Sequence, residues 1–147
     1  MPLADAGYSG TPLAAKLGLG DGMHVVFVAL PEELSELAQA RDFAGVERLS
    51  GWSQISGRRR CDVLHGFSKS RAEIEGALPA AQDAIKADGA IWVSWPKKAS
   101  KVATDVTEDV IRDAALRLDL VDVKVAAVDA VWSGLKLVIR KDRRNDG

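Results

Sequence analysis

Three short runs govern what this chain can become: His24–Leu30 (HVVFVAL), Cys61–Phe67 (CDVLHGF) and Ala90–Trp95 (AIWVSW). Each is apolar almost without interruption and rich in β-branched or aromatic residues. A strand with one wet face alternates; a strand covered on both faces does not. These runs therefore demand a sheet with layers on both sides. Between them the pattern changes to helical spacing. Pro31 opens a helix predicted through about Ala40, with Glu32 and Glu33 in its first turn and Leu34, Leu37 and Ala38 as its apolar stripe. Ser70 caps a helix predicted over Arg71–Lys86, Glu73 completes a capping box, and Ile74, Leu78, Ala81 and Ile85 recur at helical spacing. Pro79 in its middle predicts a kink or a break. Asp105 and Glu108 form a further capping pair, for a helix running to about Leu118. Strand–helix–strand alternation of this kind means an α/β domain with a mostly parallel sheet.

The carboxyl-terminal part reads differently. Val121–Val128 and Leu135–Arg140 alternate apolar and polar residues with period two, as strands near an edge do, and Asp129–Gly134 links them as a hairpin. One edge is then antiparallel. A short strand near Val46–Leu49 leads into a loop that reaches Arg60. Thr11, with Pro12 at the first helical position, caps a short helix that Gly18 ends. The expected organisation is a flexible amino terminus over residues 1–10, one α/β domain over 11–141, and a flexible tail over 142–147. At 147 residues there is material for a single core.

Composition narrows the function. Lys plus Arg is 20 and Asp plus Glu is 21, so the formal charge is 20 − 21 = −1. That removes the whole-molecule argument for nucleic acid and leaves only local basic clusters, Arg58-Arg59-Arg60 and Arg140-Lys141-Asp142-Arg143-Arg144. Solvated charge is the simpler explanation of both. Cys61 is the only cysteine, so no intramolecular disulfide can form. The longest apolar run, Val25–Leu30, is about a third of a membrane span, and the first residues lack the features of a secretory signal. A cytoplasmic location is expected.

No H-E-x-x-H, G-x-S-x-G or Walker-type loop occurs, so no catalytic residue and no metal site is expected. Cys61 and His65 would share a strand face at roughly 13 Å, too far apart to act as a pair. Asp62 and Asp129 stand at strand boundaries, where a cleft could reach them. The strongest candidate ligand site is the loop after the third run. In open parallel sheets ligands gather beyond the carboxyl ends of the strands. There Lys97, Lys98 and Lys101 bring positive charge, Ser100 and Thr104 bring hydroxyls, and Trp95, expected half exposed, brings a flat face. Such a set suits a small anionic ligand or a protein partner; a solvated basic loop beside a core tryptophan is the plainer reading.

Two resemblances add to this. The strand Cys61-Asp62-Val63-Leu64-His65, a helix, and then Lys86-Ala87-Asp88-Gly89-Ala90-Ile91-Trp92-Val93 resemble the central part of S-adenosylmethionine-dependent methyltransferases. The resemblance implies a three-layer Rossmann-like sheet of about six strands, in the order 2-1-3-4-6-5, with the third strand of such enzymes missing. The strings Ala6–Leu13, Trp92–Ser100, Thr104–Val110 and Trp132–Lys136 also resemble a family of small bacterial proteins of unknown function, which implies no activity. Methyltransferases hold their cofactor on a glycine-rich turn directly after the first strand, where glycine lets backbone approach the ligand. Here Leu30 is followed by Pro31-Glu32-Glu33, and Gly18, Gly20 and Gly22 precede the strand instead. The expectation is therefore a non-catalytic binding or regulatory module with no cofactor. The alternatives are an atypical methyltransferase using S-adenosylmethionine and a nucleic-acid accessory protein.

Overall fold

The computed structural model describes residues 12–146. Strands β1 (His24–Val28), β2 (Gly45–Leu49), β3 (Cys61–Phe67), β4 (Ile85–Pro96), β5 (Leu120–Ala127) and β6 (Trp132–Ile139) form one sheet in the order β2-β1-β3-β4-β6-β5. The first four are parallel, and β6 runs antiparallel between β4 and β5. This is the order and the antiparallel edge that the sequence implied. The proposed cap Thr11 and the expected flexible stretch 1–10 lie outside the described residues.

The uninterrupted apolar runs are explained by what covers them. Alternate side chains of β1, β3 and β4 enter two different layers. Val26, Val28, Leu64, Ile91, Val93 and Trp95 pack beneath helices α2 (Arg71–Ala84) and α3 (Glu108–Leu116). Val25, Phe27, Val63 and Trp92 pack on the opposite face, beneath α1 (Leu13–Lys16) and a turn of 3-10 helix over Glu32–Gln39. Each fully buried Val, Leu, Ile or Phe contributes about 1.5–3 kcal/mol relative to exposure. Trp92 and Trp95, three apart, face opposite layers as a strand requires. Cys61 does not share a face with His65, because the pairing of β3 with β4 shifts register between Cys61 and Val63. Cys61 packs in the α2–α3 layer, and burial pushes its thiol up to about 11.

One helical reading is corrected and one is narrowed. Glu32–Gln39 winds as 3-10 helix, whose i,i+3 repeat the pair Leu34 and Leu37 satisfies as well as an α-helix would. Helix α2 runs through Pro79 to Ala84 as one element. Pro79 sits on its exposed side, where the carbonyl left without the missing N–H is open to hydration. Its amino end is capped twice over: Ser70 Oγ accepts from Glu73 N–H, and Asp105 Oδ1 accepts from Arg71 N–H at 2.7 Å. Asp105 thus serves α2, and α3 takes Thr107 as its cap instead. Beyond β6, Lys141–Asp146 winds as a 3-10 turn. No described helix is long and apolar enough to cross a membrane.

Candidate functional site at the carboxyl edge of the sheet

Four strands end along one edge, and each end is fixed differently. After β1 the chain must turn at once. Ala29 does this with φ 56°, the left-handed region that favours glycine, and its N–H donates to Leu49 O at 2.8 Å. A left-handed non-glycine residue costs roughly 1–2 kcal/mol. A tight turn without glycine is therefore present directly after β1, made by Ala29.

After β2 the loop drops Trp52 onto β3. Its indole Nε1 donates to Phe67 O at 2.9 Å, and its ring lies over Gly66 so closely that a Cβ there would fall 2.3 Å from it. Trp52 covers the part of the sheet that a longer crossover would otherwise have to cover. The sequence reading gives the short strand near Val46–Leu49, which β2 matches, but misses this tryptophan in the loop that follows. The available signal was Gly66, an isolated glycine inside a strand, which marks close approach of another group.

After β3, Phe67 stacks on His65 with ring centroids 4.3 Å apart and meets Trp132 edge to face at 5.2 Å. Phe67, Val128 and Trp132, with Ala29, Leu30 and Leu34 against them, make a small apolar cluster at this edge. His65 is 1% exposed. Its Nε2 lies 2.7 Å from Ser94 Oγ on β4, while Nδ1 has no hydrogen-bond partner among the described residues. Burial lowers the imidazole to about 3, so the ring is neutral.

After β4 comes the basic loop. Trp95 is 9% exposed and belongs to the layer that includes Val106, so the half-exposed platform expected of it is not there. Ser100 Oγ donates to Lys97 O and accepts from Val102 N–H. Thr104 Oγ1 donates to Lys69 O and accepts from Val106 N–H. Both hydroxyls thus hold the loop to itself and to the turn after β3. Lys98 and Lys101 are exposed and Lys97 half buried, with Lys97 N–H donating to Val131 O in the hairpin loop. The structure brings the three lysines to the carboxyl edge as a charged rim, with Trp95, Ser100 and Thr104 as its support. Asp129 is at this edge too, but its Oδ1 accepts from Val131 N–H and Trp132 N–H and so shapes the hairpin turn. Asp62 is at the other edge. It accepts from His24 N–H, pairs with Lys86, and lines a cavity of about 190 Å³ together with Asp88 and Lys136. Among the described residues no group of three or more His, Cys, Asp or Glu could hold a metal ion.

The architecture has many solved counterparts. A TehB-like S-adenosylmethionine-dependent methyltransferase from Corynebacterium glutamicum superposes with a TM-score of 0.61 at 13% identity, over 94% of this chain and 92% of that one. Magnesium protoporphyrin IX methyltransferase from Synechocystis, with S-adenosylmethionine bound, gives 0.63 at 15% identity over 87% and 74%. An O-methyltransferase of neocarzinostatin biosynthesis, in complex with S-adenosylmethionine and 2-hydroxy-5-methyl naphthoic acid, gives 0.62 at 13% identity over 90% and 51%. The fold is that of the S-adenosylmethionine-dependent methyltransferases. No family model matches the chain, and no curated protein matches it by sequence. The expectation of no cofactor is corrected by these structures, two of which hold S-adenosylmethionine on this architecture. At the place of their glycine-rich turn this chain has a left-handed Ala29.

Proposed function

We propose that the chain is an S-adenosylmethionine-binding methyltransferase with an alanine in place of the customary glycine. The carrying observation is the left-handed Ala29 directly after β1, with its N–H tied to the end of β2. Strained backbone is retained where the surrounding structure over-determines it, and such positions cluster at ligand sites. The turn Ala29–Glu32, Ser50 at the end of β2 and Phe67–Lys69 at the end of β3 would hold the cofactor. Bound there, it supplies an electrophilic methyl group on a sulfonium. The rim of Lys97, Lys98 and Lys101 at the same edge favours an anionic acceptor. The solved neighbours favour this reading over the non-catalytic module.

Thermal melts of the full chain with S-adenosylmethionine, S-adenosylhomocysteine and ATP test it. A ligand at about 100 times its Kd stabilises by about 2.7 kcal/mol, several degrees at this size. The proposal expects a rise with both adenosyl compounds, separate from any response to ATP. Flat melts with the adenosyl compounds would refute it.

A further inference from the structure

The opposite, amino edge of the sheet carries a feature independent of methyl transfer. The two basic clusters of the sequence, far apart along the chain, converge there. Arg58 and Arg59 precede β3, Arg143 follows β6, and together with Gln82, Asp83 and Asp119 they line one polar cavity of about 40 Å³. That is room for a few waters or one tetrahedral oxyanion.

The cavity is built. Arg59 is held at φ 51° with its N–H donating to Asp83 O at the end of α2. Asp119 is fixed by Gln82 Nε2, which donates to its Oδ2, and by its own N–H, which donates to Gln82 Oε1. Its Oδ1 sits 3.7 Å from both Arg140 and Arg143. Arg60 turns away, pairing with Glu47 on β2. Among the described residues Arg59 Nη1, a buried guanidinium nitrogen of this cavity, has no hydrogen-bond partner; Arg140 Nε, outside the lining, has none either and lies 4.0 Å from Asp142 Oδ1. Buried donors of this kind are costly unless something accepts from them. Helix C-termini attract arginine, and the end of α2 explains Arg59 and Arg60 near it; it does not explain donors left unpaired.

We propose that this cavity binds the phosphate group of a small phosphorylated ligand. Guanidinium forks match the geometry of phosphate oxygens, and charge assistance strengthens each bond. A cavity of about 40 Å³ has room for one tetrahedral oxyanion and not for an extended polyanion, which favours a compact ligand over nucleic acid.

The test is titration of the full chain with inorganic phosphate and pyrophosphate against chloride of equal ionic strength, read by calorimetry and by thermal melts. A single-stranded RNA runs in parallel. The proposal expects saturable one-site binding of a phosphate ligand, weakened about tenfold or more in Arg143→Gln. Arg143 lies in the terminal turn, so that variant spares the core, and Arg58→Gln on the exposed loop serves as the second. Response to S-adenosylhomocysteine should be unchanged in both. Absence of phosphate binding beyond the chloride control overturns the proposal. So does binding that both variants leave intact, or binding of RNA alone.

Discussion

The two edges of this sheet handle their polar groups in opposite ways. At the carboxyl edge nearly every polar side chain is consumed locally. Trp52 bonds the end of β3, Ser100 and Thr104 bond their own loop, and Asp129 bonds its own turn. What is left there is a strained backbone turn and an exposed lysine rim. At the amino edge two guanidinium nitrogens are buried without a hydrogen-bond partner among the described residues. A site made of backbone presents no motif to a reader of sequence. A site made of side chains presents its residues, but not that they meet.

Breaking the carboxyl edge should have the largest effect. Gly66→Ala drives a methyl group into the Trp52 ring, with the Cβ 2.3 Å from it. Overpacking of that kind costs about 1–3 kcal/mol, and the lost bond to Phe67 O about another 1. Urea unfolding should show a lower midpoint, and adding Trp52→Ala should make the Gly66→Ala change nearly neutral. If Gly66→Ala alone is as stable as the parent, the packing described for this edge is wrong.

Protonation gives the next effect. The buried His65 titrates near 3 when folded and near 6.5 when unfolded. The unfolded chain therefore binds the extra proton first, and stability is full above about 6.5 and falls as pH drops towards 3. In His65→Phe this share of the pH dependence should vanish. Unfolding midpoints of the two proteins at pH 7 and pH 5 check it: the gap between the two pH values should be wider for the parent. Equal gaps would mean that His65 is reached by water in the fold.

The helix caps come third. Asp105→Ala removes the acceptor for Arg71 N–H and should cost about 1 kcal/mol by chemical denaturation. It should do so through α2, so amide exchange should quicken near Arg71 and not at Glu108. The smallest effect has the opposite sign. Ala29→Gly relieves the left-handed turn at the expense of extra freedom in the unfolded chain, and should stabilise by about 0.5–1 kcal/mol. A loss of stability there would mean that the methyl group's packing against the Phe67, Val128 and Trp132 cluster outweighs the strain.

How much was legible follows from these residues. Continuous apolar runs announced a two-sided sheet because burial on both faces leaves no room for alternation. The strand order came through resemblance, and the hairpin through its period of two. Trp95 was misjudged because a strand end says nothing about the later chain, Val106 included, that completes its layer. The coil after Pro31 was misjudged because a spacing of three fits both helix types. The turn at Ala29 was hidden for a deeper reason: φ there is imposed by the Leu49 carbonyl, which belongs to another strand. The union of Arg59 with Arg143 was hidden likewise, since only the finished sheet brings the start of β3 and the end of β6 to one edge, on either side of β4.

The central claim is that the carboxyl edge is an adenosyl-cofactor site built on the Ala29 turn. Amide chemical shifts of the full chain, titrated with S-adenosylhomocysteine, test it most directly. Saturable shifts should appear at Ala29, Leu30, Ser50 and Phe67–Lys69, with Arg58, Arg59 and Arg143 unmoved. Shifts confined to the arginine cavity, or none at any concentration, would contradict it.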